Sequence, residues 1–149
     1  MVTVKRSSVI QAPAEIIFRY LNEPSKLHSI YQPLIRVSDE LRTLKTTRFN
    51  WEVQLLGVHF VGVADLTEVT PQREVHLQFW GGIDGNIWLR LHPSDQGTEV
   101  EVEYAYEVPA PLLHKHGQQE VIQYNIVHIE GLLTTLKQVV EEKMHLYPH

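Results

Sequence analysis

Nine histidines are the first side chains to weigh for chemistry, because imidazole binds metals and transfers protons near neutral pH. His114 and His116 stand two residues apart, a spacing that suits metal chelation on a strand or loop. The pattern places no third ligand beside them, and no HExxH motif occurs. His59 and His76 fall on polar strand faces, where contact with solvent is the simpler interpretation. We therefore predict no metal site and no cofactor.

His128 is the histidine on which a catalytic interpretation depends, because it alone lies beside an apolar helical arc. As a general acid or base it would need a carboxylate or hydroxyl to orient it, and the sequence identifies none. The chain has no cysteine and no G-x-S-x-G motif, so nucleophilic catalysis finds no support. Gly81, Gly82 and Gly85 do not open a helix after a strand, which excludes a dinucleotide fingerprint. No catalytic residue is predicted, and whether the protein is an enzyme stays open.

The position of His128 depends on a long helix near the end of the sequence. From about Gln118 to Met144, apolar residues recur at steps of three and four, the pattern of an amphipathic helix. Asn125 projects to the middle of the apolar arc, with Tyr124 and His128 at one border. Two interpretations stay open: Asn125 hydrogen-bonds inside a packed core, or it lines a cavity that helix and sheet leave unfilled.

The stretch from Leu34 to Val108 is mostly strand, because apolar and polar residues alternate with a period of two. Short turns between the strands predict an antiparallel meander. If its apolar faces look toward the helix, five aromatic residues point at it: Phe49, Trp51, Phe79, Tyr104 and Tyr106. They either pack a core or line a ligand site. A buried phenol needs a hydrogen-bond partner, which Asn125 or a ligand oxygen would supply.

The start of the chain predicts one strand and two short helices. Val2 to Ile10 alternates as a half-buried strand, and Pro13 suits the first turn of a helix. Ser25 is predicted to cap the second helix. The whole chain, residues 1–149, is therefore predicted to be one α+β domain. Its predicted fold is a curved antiparallel sheet of about seven strands around a long C-terminal helix, with two short helices after strand one.

Composition limits the partners. The chain has 149 residues, of which 43% are hydrophobic and 21% charged, as in ordinary soluble globular domains. The formal net charge is −5 with no basic block, which argues against nucleic acid as a main partner. No apolar run is long enough to span a bilayer and no secretory leader is evident, so we expect no integral membrane segment and a cytoplasmic location. Trp80 and Trp88 fall on outward faces and predict a partner surface or a homodimer contact.

Three stretches of the sequence resemble one superfamily. They are VIQAPAEIIFRYLNEPSKL (Val9 to Leu27), GVADLTEVTPQREV (Gly62 to Val75) and DGNIWLRLHPSDQGTEVEVEYAYEV (Asp84 to Val108). With the long helix they resemble the START-like superfamily, also called helix-grip or birch-pollen-allergen-like, and within it the bacterial polyketide cyclase/dehydrase and lipid-transport group. The resemblance implies a hydrophobic tunnel between the sheet and the long helix. Members bind lipids, sterols, isoprenoid quinones, polyketides or plant hormones, and some are cyclases or hydrolases.

The residues and the resemblance together predict that the chain binds a small, largely hydrophobic molecule, such as a lipid, an isoprenoid or a polyketide-like compound. The predicted ligand-binding residues are Phe49, Trp51, Phe79, Tyr104, Tyr106, Asn125, His128, Ile129 and Leu132. One alternative is a cyclase or dehydratase acting on a polyketide-like or aromatic substrate, with His128 or a tyrosine in proton transfer. Another is a non-catalytic accessory protein that uses the surface around Trp80 and Trp88.

Overall fold

The computed structural model describes residues 1–146, which form seven strands and four helices. In chain order the elements are β1 (Val2–Ile10), α1 (Ala14–Leu21), α2 (Pro24–Ile30), β2 (Leu34–Arg42), β3 (Thr46–Leu55), β4 (Val58–Thr70), β5 (Glu74–Gly81), β6 (Gly85–Ser94), β7 (Gly97–Tyr106), α3 (Ala110–Lys115) and α4 (Gln118–Leu146). This order confirms the predicted α+β fold class, with two short helices after the first strand and a long helix near the end. Residues 147–149 of the predicted domain lie outside the described residues.

The strands form one antiparallel sheet in the spatial order β1-β7-β6-β5-β4-β3-β2. From β2 to β7 each strand pairs with its successor, which is the meander that the short turns predict. Strand β1 instead pairs with β7, with Val2 opposite Tyr106 and Ile10 opposite Thr98. Because β1 and β2 lie at opposite edges of the sheet, α1 and α2 carry the chain from one edge to the other.

Strand alternation decides which side chains face α4. In β3, Phe49 and Trp51 are buried, while Arg48 and Asn50 on either side of Phe49 are exposed. This is the result expected of a strand with one face on the core and the other in water. The aromatic residues predicted to point at the helix are all at most 7% exposed: Phe49, Trp51, Phe79, Tyr104 and Tyr106.

Helix α4 has 29 residues, a length of about 40 Å, and lies across the sheet. In its N-terminal half, the Tyr124 hydroxyl donates to a carbonyl near the end of β3 at 3.3 Å. In its C-terminal half, Lys137 Nζ donates to the carbonyl of Val9 at 3.0 Å. The backbone N–H of Gln11 donates to the Glu141 carboxylate at 2.9 Å. The helix is thus held at both ends by hydrogen bonds. No helix within residues 1–146 is long and apolar enough to cross a membrane.

Prolines lie at the starts of both helices near the beginning of the chain, and both starts differ from their predictions. Helix α2 begins at Pro24 with Glu23 as its N-cap, so the predicted Ser25 cap is wrong. Proline suits the first helical position because its φ is fixed near the helical value and its missing N–H would be unpaired there anyway. Pro13 holds the N-cap of α1 in extended backbone, with ψ of 148°, rather than lying inside the first turn.

The two outward tryptophans are covered by side chains of the same chain. Both Trp80 and Trp88 are half-buried on the face of the sheet opposite α4. The Arg48 guanidinium lies 5.3 Å from the Trp80 ring centroid, and the Arg90 guanidinium lies 5.9 Å from the Trp88 ring centroid. The His76 ring stacks on Trp88 with centroids 4.9 Å apart. These contacts within the chain account for two outward indoles, so no partner protein is needed to explain them. The homodimer contact stays a prediction.

Candidate ligand-binding cavity

A cavity of about 90 Å³ lies between the concave face of the sheet and α4. Sixteen residues line it: Leu27, Tyr31, Leu34, Phe49, Trp51, Val53, Leu55, Leu77, Phe79, Ile83, Ile87, Leu89, Val102, Tyr104, Ile129 and Leu132. Only Tyr31, Trp51 and Tyr104 among them have a polar side-chain atom, and none of the sixteen side chains carries a charge at neutral pH. An apolar enclosure with a few hydrogen-bonding groups is typical of a small-molecule site.

The volume of the cavity decides what fits in this conformation. Pockets for drug-sized ligands usually measure about 300–1,000 Å³. A volume of about 90 Å³ instead suits one aromatic ring or a short branched chain. It is on the scale of an engineered apolar cavity of about 150 Å³ that binds benzene. A lipid or a multi-ring compound would therefore require the lining to move apart.

Three aromatic rings form a connected wall on the sheet side of the cavity. The Trp51 ring on β3 meets the Phe79 ring on β5 edge-on, with centroids 6.3 Å apart. The Phe79 ring lies 5.8 Å from the ring of Tyr104 on β7. Each pair of rings reaches across one intervening strand, because alternation points all three side chains to the same face. Phe79, Trp51 and Tyr104 therefore act as one surface, which we call the aromatic wall.

Two glycines on the intervening strands leave space for this wall. Gly62 on β4 is the register partner of Trp51, and Gly85 on β6 is the register partner of Phe79. A Cβ atom on Gly62 would clash with the Trp51 indole, and one on Gly85 would come within 2.6 Å of the Phe79 ring. Both glycines therefore keep neighbouring strands clear of the rings that line the cavity.

Tyr31 and Tyr104 bring hydroxyl groups to the lining. Tyr31 follows α2 as its C-cap, and Tyr104 lies near the end of β7. The phenol end of Tyr31 is buried although the residue as a whole is half-buried. Burial is the main cause that raises the pKa of both phenols, and the neighbouring Tyr31 phenol raises the pKa of Tyr104 further. Both side chains therefore remain neutral near pH 7.

Asn125 and Tyr106 form a buried polar pair next to the cavity. Asn125 is 1% exposed, and its side-chain N–H donates to the Tyr106 hydroxyl. The Tyr106 ring stands perpendicular to the ring of Tyr104, with centroids 4.8 Å apart. Among the described residues, Oδ1 of Asn125 has no hydrogen-bond partner. Neither member of the pair is among the lining residues. Of the two interpretations of Asn125, the structure therefore agrees with the one in which it hydrogen-bonds inside a packed core.

The amino-acid sequence carries a family signature over the same elements. Residues 1–141 match the family model described as polyketide cyclase / dehydrase and lipid transport. The chain belongs to this family. The match runs from β1 into the last turns of α4 and confirms the resemblance that the three sequence stretches indicate. Comparison with curated proteins gives no match.

Solved structures share the fold of this polyketide cyclase/dehydrase family member. Protein TTHA0849 from Thermus thermophilus aligns with a TM-score of 0.82 and 18% identity, covering 95% of this chain and 99% of that chain. The Zhui aromatase/cyclase from Streptomyces sp. R1128 aligns with a TM-score of 0.72 and 12% identity, covering 96% and 95%. A START superfamily protein from Mycobacterium smegmatis aligns with a TM-score of 0.71 and 15% identity, covering 94% and 97%. These identities support the helix-grip fold and leave activity to the site itself.

In this family member, six of the nine predicted ligand-binding residues line the cavity: Phe49, Trp51, Phe79, Tyr104, Ile129 and Leu132. Tyr106 and Asn125 are buried beside it without lining it. His128 is half-buried and also lies outside the lining. The structure therefore brings most of the predicted apolar and aromatic residues together at the cavity and leaves the His128 imidazole outside the lining.

Within residues 1–146, His128 has no hydrogen bond to a group that would orient it for proton transfer. Its ring contacts the ring of Tyr124, with centroids 4.3 Å apart. The Tyr124 hydroxyl, however, donates to the carbonyl of Gln54 and not to the imidazole. Burial lowers the pKa of His128, which favours the neutral imidazole. In the part of the chain that the structure describes, no carboxylate or hydroxyl therefore orients His128 as a general acid or base.

Ten lining residues were not predicted. Six of them continue the inward strand faces, so a full count along each face would have found them: Val53, Leu55, Leu77, Ile87, Leu89 and Val102. Leu27, Tyr31 and Leu34 come from α2 and the start of β2, and Ile83 comes from the loop between β5 and β6. No local pattern assigns these last four to the cavity, because their approach depends on how the chain crosses the sheet.

His114 and His116 are the two histidines whose spacing suits metal chelation, although no metal site is predicted there. His114 is exposed, whereas His116 lies 3.1 Å from a Glu120 carboxylate oxygen and 3.3 Å from the carbonyl of Leu56. Within residues 1–146, no group of three histidine, aspartate or glutamate side chains is arranged to hold a metal ion. His116 instead contributes to the contact between the start of α4 and the turn after β3.

Proposed function

We propose that this protein binds a small, largely hydrophobic molecule in the cavity between the sheet and α4. The observation that carries the proposal is the lining itself, in which sixteen residues enclose about 90 Å³ with apolar and aromatic side chains. Apolar surface removed from water contributes roughly 25 cal/mol per Å², so each 100 Å² of buried ligand surface favours binding by about 2.5 kcal/mol. The cavity offers such burial without unfolding any element.

The size of the cavity narrows the class of ligand. Single aromatic rings and short isoprenoid units fit the present volume, whereas a lipid or a polyketide-like compound needs the lining to open. Leu27, Tyr31 and Ile83 belong to a short helix, its cap and a loop rather than to the sheet. Such segments move more readily than paired strands, so we infer that any expansion occurs there.

A cyclase or dehydratase activity is the alternative, and its support is the printed name of the aromatase/cyclase relative. The lining residues argue against it, since they include no histidine, aspartate, glutamate, lysine or arginine. The remaining candidates are the phenols of Tyr31 and Tyr104, whose raised pKa keeps them protonated at neutral pH and makes them weak proton donors. If catalysis occurs through the predicted imidazole, His128→Ala must abolish product formation. A rate that survives this change excludes His128 as the acid or base.

An accessory role through the outer face is the third hypothesis. It requires a partner to contact Trp80 and Trp88, which Arg48 and Arg90 already cover. A pull-down that is lost in Trp88→Ala would support this role. The cavity offers the simpler explanation of how the chain functions, and we therefore favour ligand binding.

Native mass spectrometry of the purified full chain tests the proposal, followed by extraction and identification of any bound molecule. A defined apolar compound at close to one-to-one occupancy would support it and identify the compound class to test for turnover. If the chain is purified empty, titration with ethylbenzene and acetophenone, followed by isothermal calorimetry, decides the question. An empty chain that binds neither compound would contradict the proposal.

A further inference from the structure

Two of the three lining residues with a polar side-chain atom are tyrosines. Tyr31 and Tyr104 both line the cavity, and they come from different parts of the chain, the cap of α2 and β7. Because the cavity measures only about 90 Å³, both side chains lie within reach of one small ligand. Tyr106 stands against Tyr104 with ring centroids 4.8 Å apart. Apart from these two hydroxyls and the indole of Trp51, the lining is hydrocarbon.

The tyrosines in and near the cavity differ in whether their hydroxyls form hydrogen bonds. The hydroxyl of Tyr106 accepts from Asn125, and the hydroxyl of Tyr124 donates to a backbone carbonyl. The hydroxyls of Tyr31 and Tyr104 take part in no side-chain hydrogen bond within residues 1–146, and neither belongs to the fully buried unpaired atoms, which are Trp51 Nε1 and Asn125 Oδ1. Both hydroxyls are therefore free to donate a hydrogen bond to a ligand oxygen in the cavity.

The lining also limits the charge that a ligand can carry. None of the sixteen lining side chains is an acid, an amine, a guanidinium or an imidazole. A carboxylate or ammonium group placed there would lose its water without gaining a counter-ion, which is strongly unfavourable. The phenols cannot supply a charge either, since burial raises the pKa of both.

We propose that the cavity selects a neutral ligand whose hydroxyl or carbonyl oxygen hydrogen-bonds to Tyr31 and Tyr104. The hydrocarbon part of that ligand, one ring or a short branched chain, lies against the aromatic wall. This inference rests on the proposed binding function and adds the polarity and charge of the ligand. It excludes ligands that place a carboxylate inside the cavity, which a purely hydrophobic criterion would admit.

Three probes of similar size separate these properties: acetophenone, ethylbenzene and benzoate. They share one benzene ring and differ in bearing a neutral carbonyl, no polar atom or a negative charge. Isothermal calorimetry at pH 7 should rank acetophenone first, with ethylbenzene about tenfold weaker for the lost hydrogen bond. Benzoate should show no measurable binding.

Variants then assign the difference to the hydroxyls. Tyr104→Phe and Tyr31→Phe keep the rings, so each should weaken acetophenone binding up to about tenfold and leave ethylbenzene binding unchanged. Tyr20→Phe is the matched control, because Tyr20 is a buried tyrosine on α1 that does not line the cavity. It should leave the affinity for both probes unchanged. Thermal unfolding of each variant establishes that the fold is retained.

Each outcome bears on a separate statement. Equal affinities for acetophenone and ethylbenzene, unaltered in Tyr104→Phe and Tyr31→Phe, would overturn the inference and leave the proposed function standing. Benzoate binding as tight as acetophenone binding would overturn the exclusion of charge and with it the inference. If neither neutral probe binds, the proposed function itself fails and the inference fails with it.

Discussion

The indole of Trp51 lies directly over the backbone of Gly62, its register partner on β4. A Cβ atom on Gly62 would clash with the indole and with the carbonyl oxygen of Trp80. The absence of a side chain on one strand therefore allows the aromatic wall on the next strand to lie close to the sheet. The space between this wall and α4 is the cavity.

Gly62→Ala is therefore expected to destabilise the protein and to weaken ligand binding. The added methyl group must displace a packed ring or separate two paired strands, and overpacking of this kind costs about 1–3 kcal/mol. Urea unfolding measures the loss. Gly131→Ala on α4 is the matched control, since nothing lies within 4 Å of its added methyl group. Because alanine favours helix over glycine, this control should raise stability by about 0.5–1 kcal/mol. A stable, ligand-competent Gly62→Ala protein would contradict the assignment.

Leu132→Trp is expected to block ligand uptake while the protein stays folded. Leu132 is a lining residue on α4, and the larger tryptophan side chain would fill space that is otherwise empty. Overpacking limits the tolerance, so a loss of about 1–3 kcal/mol in unfolding free energy is expected. Val127→Trp supplies the control, because Val127 is on the same helix and 52% exposed. If Leu132→Trp binds ligand with full affinity, the cavity is not the binding site.

Asn125 and Tyr106 are expected to show strong coupling in a double-mutant cycle. Tyr106→Phe removes the acceptor of the Asn125 N–H in a buried place, where an unpaired polar group costs about 1–3 kcal/mol. The double variant Asn125→Leu with Tyr106→Phe removes both polar partners and should recover much of that loss. Chemical unfolding of the wild type, both single variants and the double variant gives the coupling energy. Additive losses would mean that the contact contributes nothing of its own.

His128 is expected to make the protein less stable in mild acid. Burial lowers its pKa below the ordinary value of 6.5, so the unfolded chain binds a proton at pH values where the folded chain does not. Its contribution is therefore fully favourable above about pH 6.5 and declines as the pH falls below that value. The unfolding free energies at pH 7.5 and pH 5.5 should differ less in His128→Gln than in the wild type.

The exposed His114 provides the comparison for this measurement. His114→Gln should retain the wild-type difference in unfolding free energy between the two pH values, since the His114 side chain is exposed to water in the folded protein. An unchanged pH dependence in His128→Gln would show that other groups govern the acid response.

The sequence alone determined the architecture and the direction of most side chains. Period-two alternation is a local property of the backbone, so it already indicated that Phe49, Trp51 and Phe79 face the helix. The step of three and four likewise identified Ile129 and Leu132 on the inner arc of α4. These predictions depend only on residues adjacent in the chain, and packing against one continuous core enforces them.

Only the tertiary structure decided which inward residues border empty space. Tyr106 and Asn125 face inward yet pair with each other, and His128 lies beyond the lining, although the helix pattern grouped it with Asn125. Tyr31 and Ile83 reach the cavity from segments whose local sequence points to no site. The physical reason is that a void between the sheet and α4 depends on how far the two diverge. That divergence is set by non-local pairings such as β1 with β7, which no local periodicity encodes.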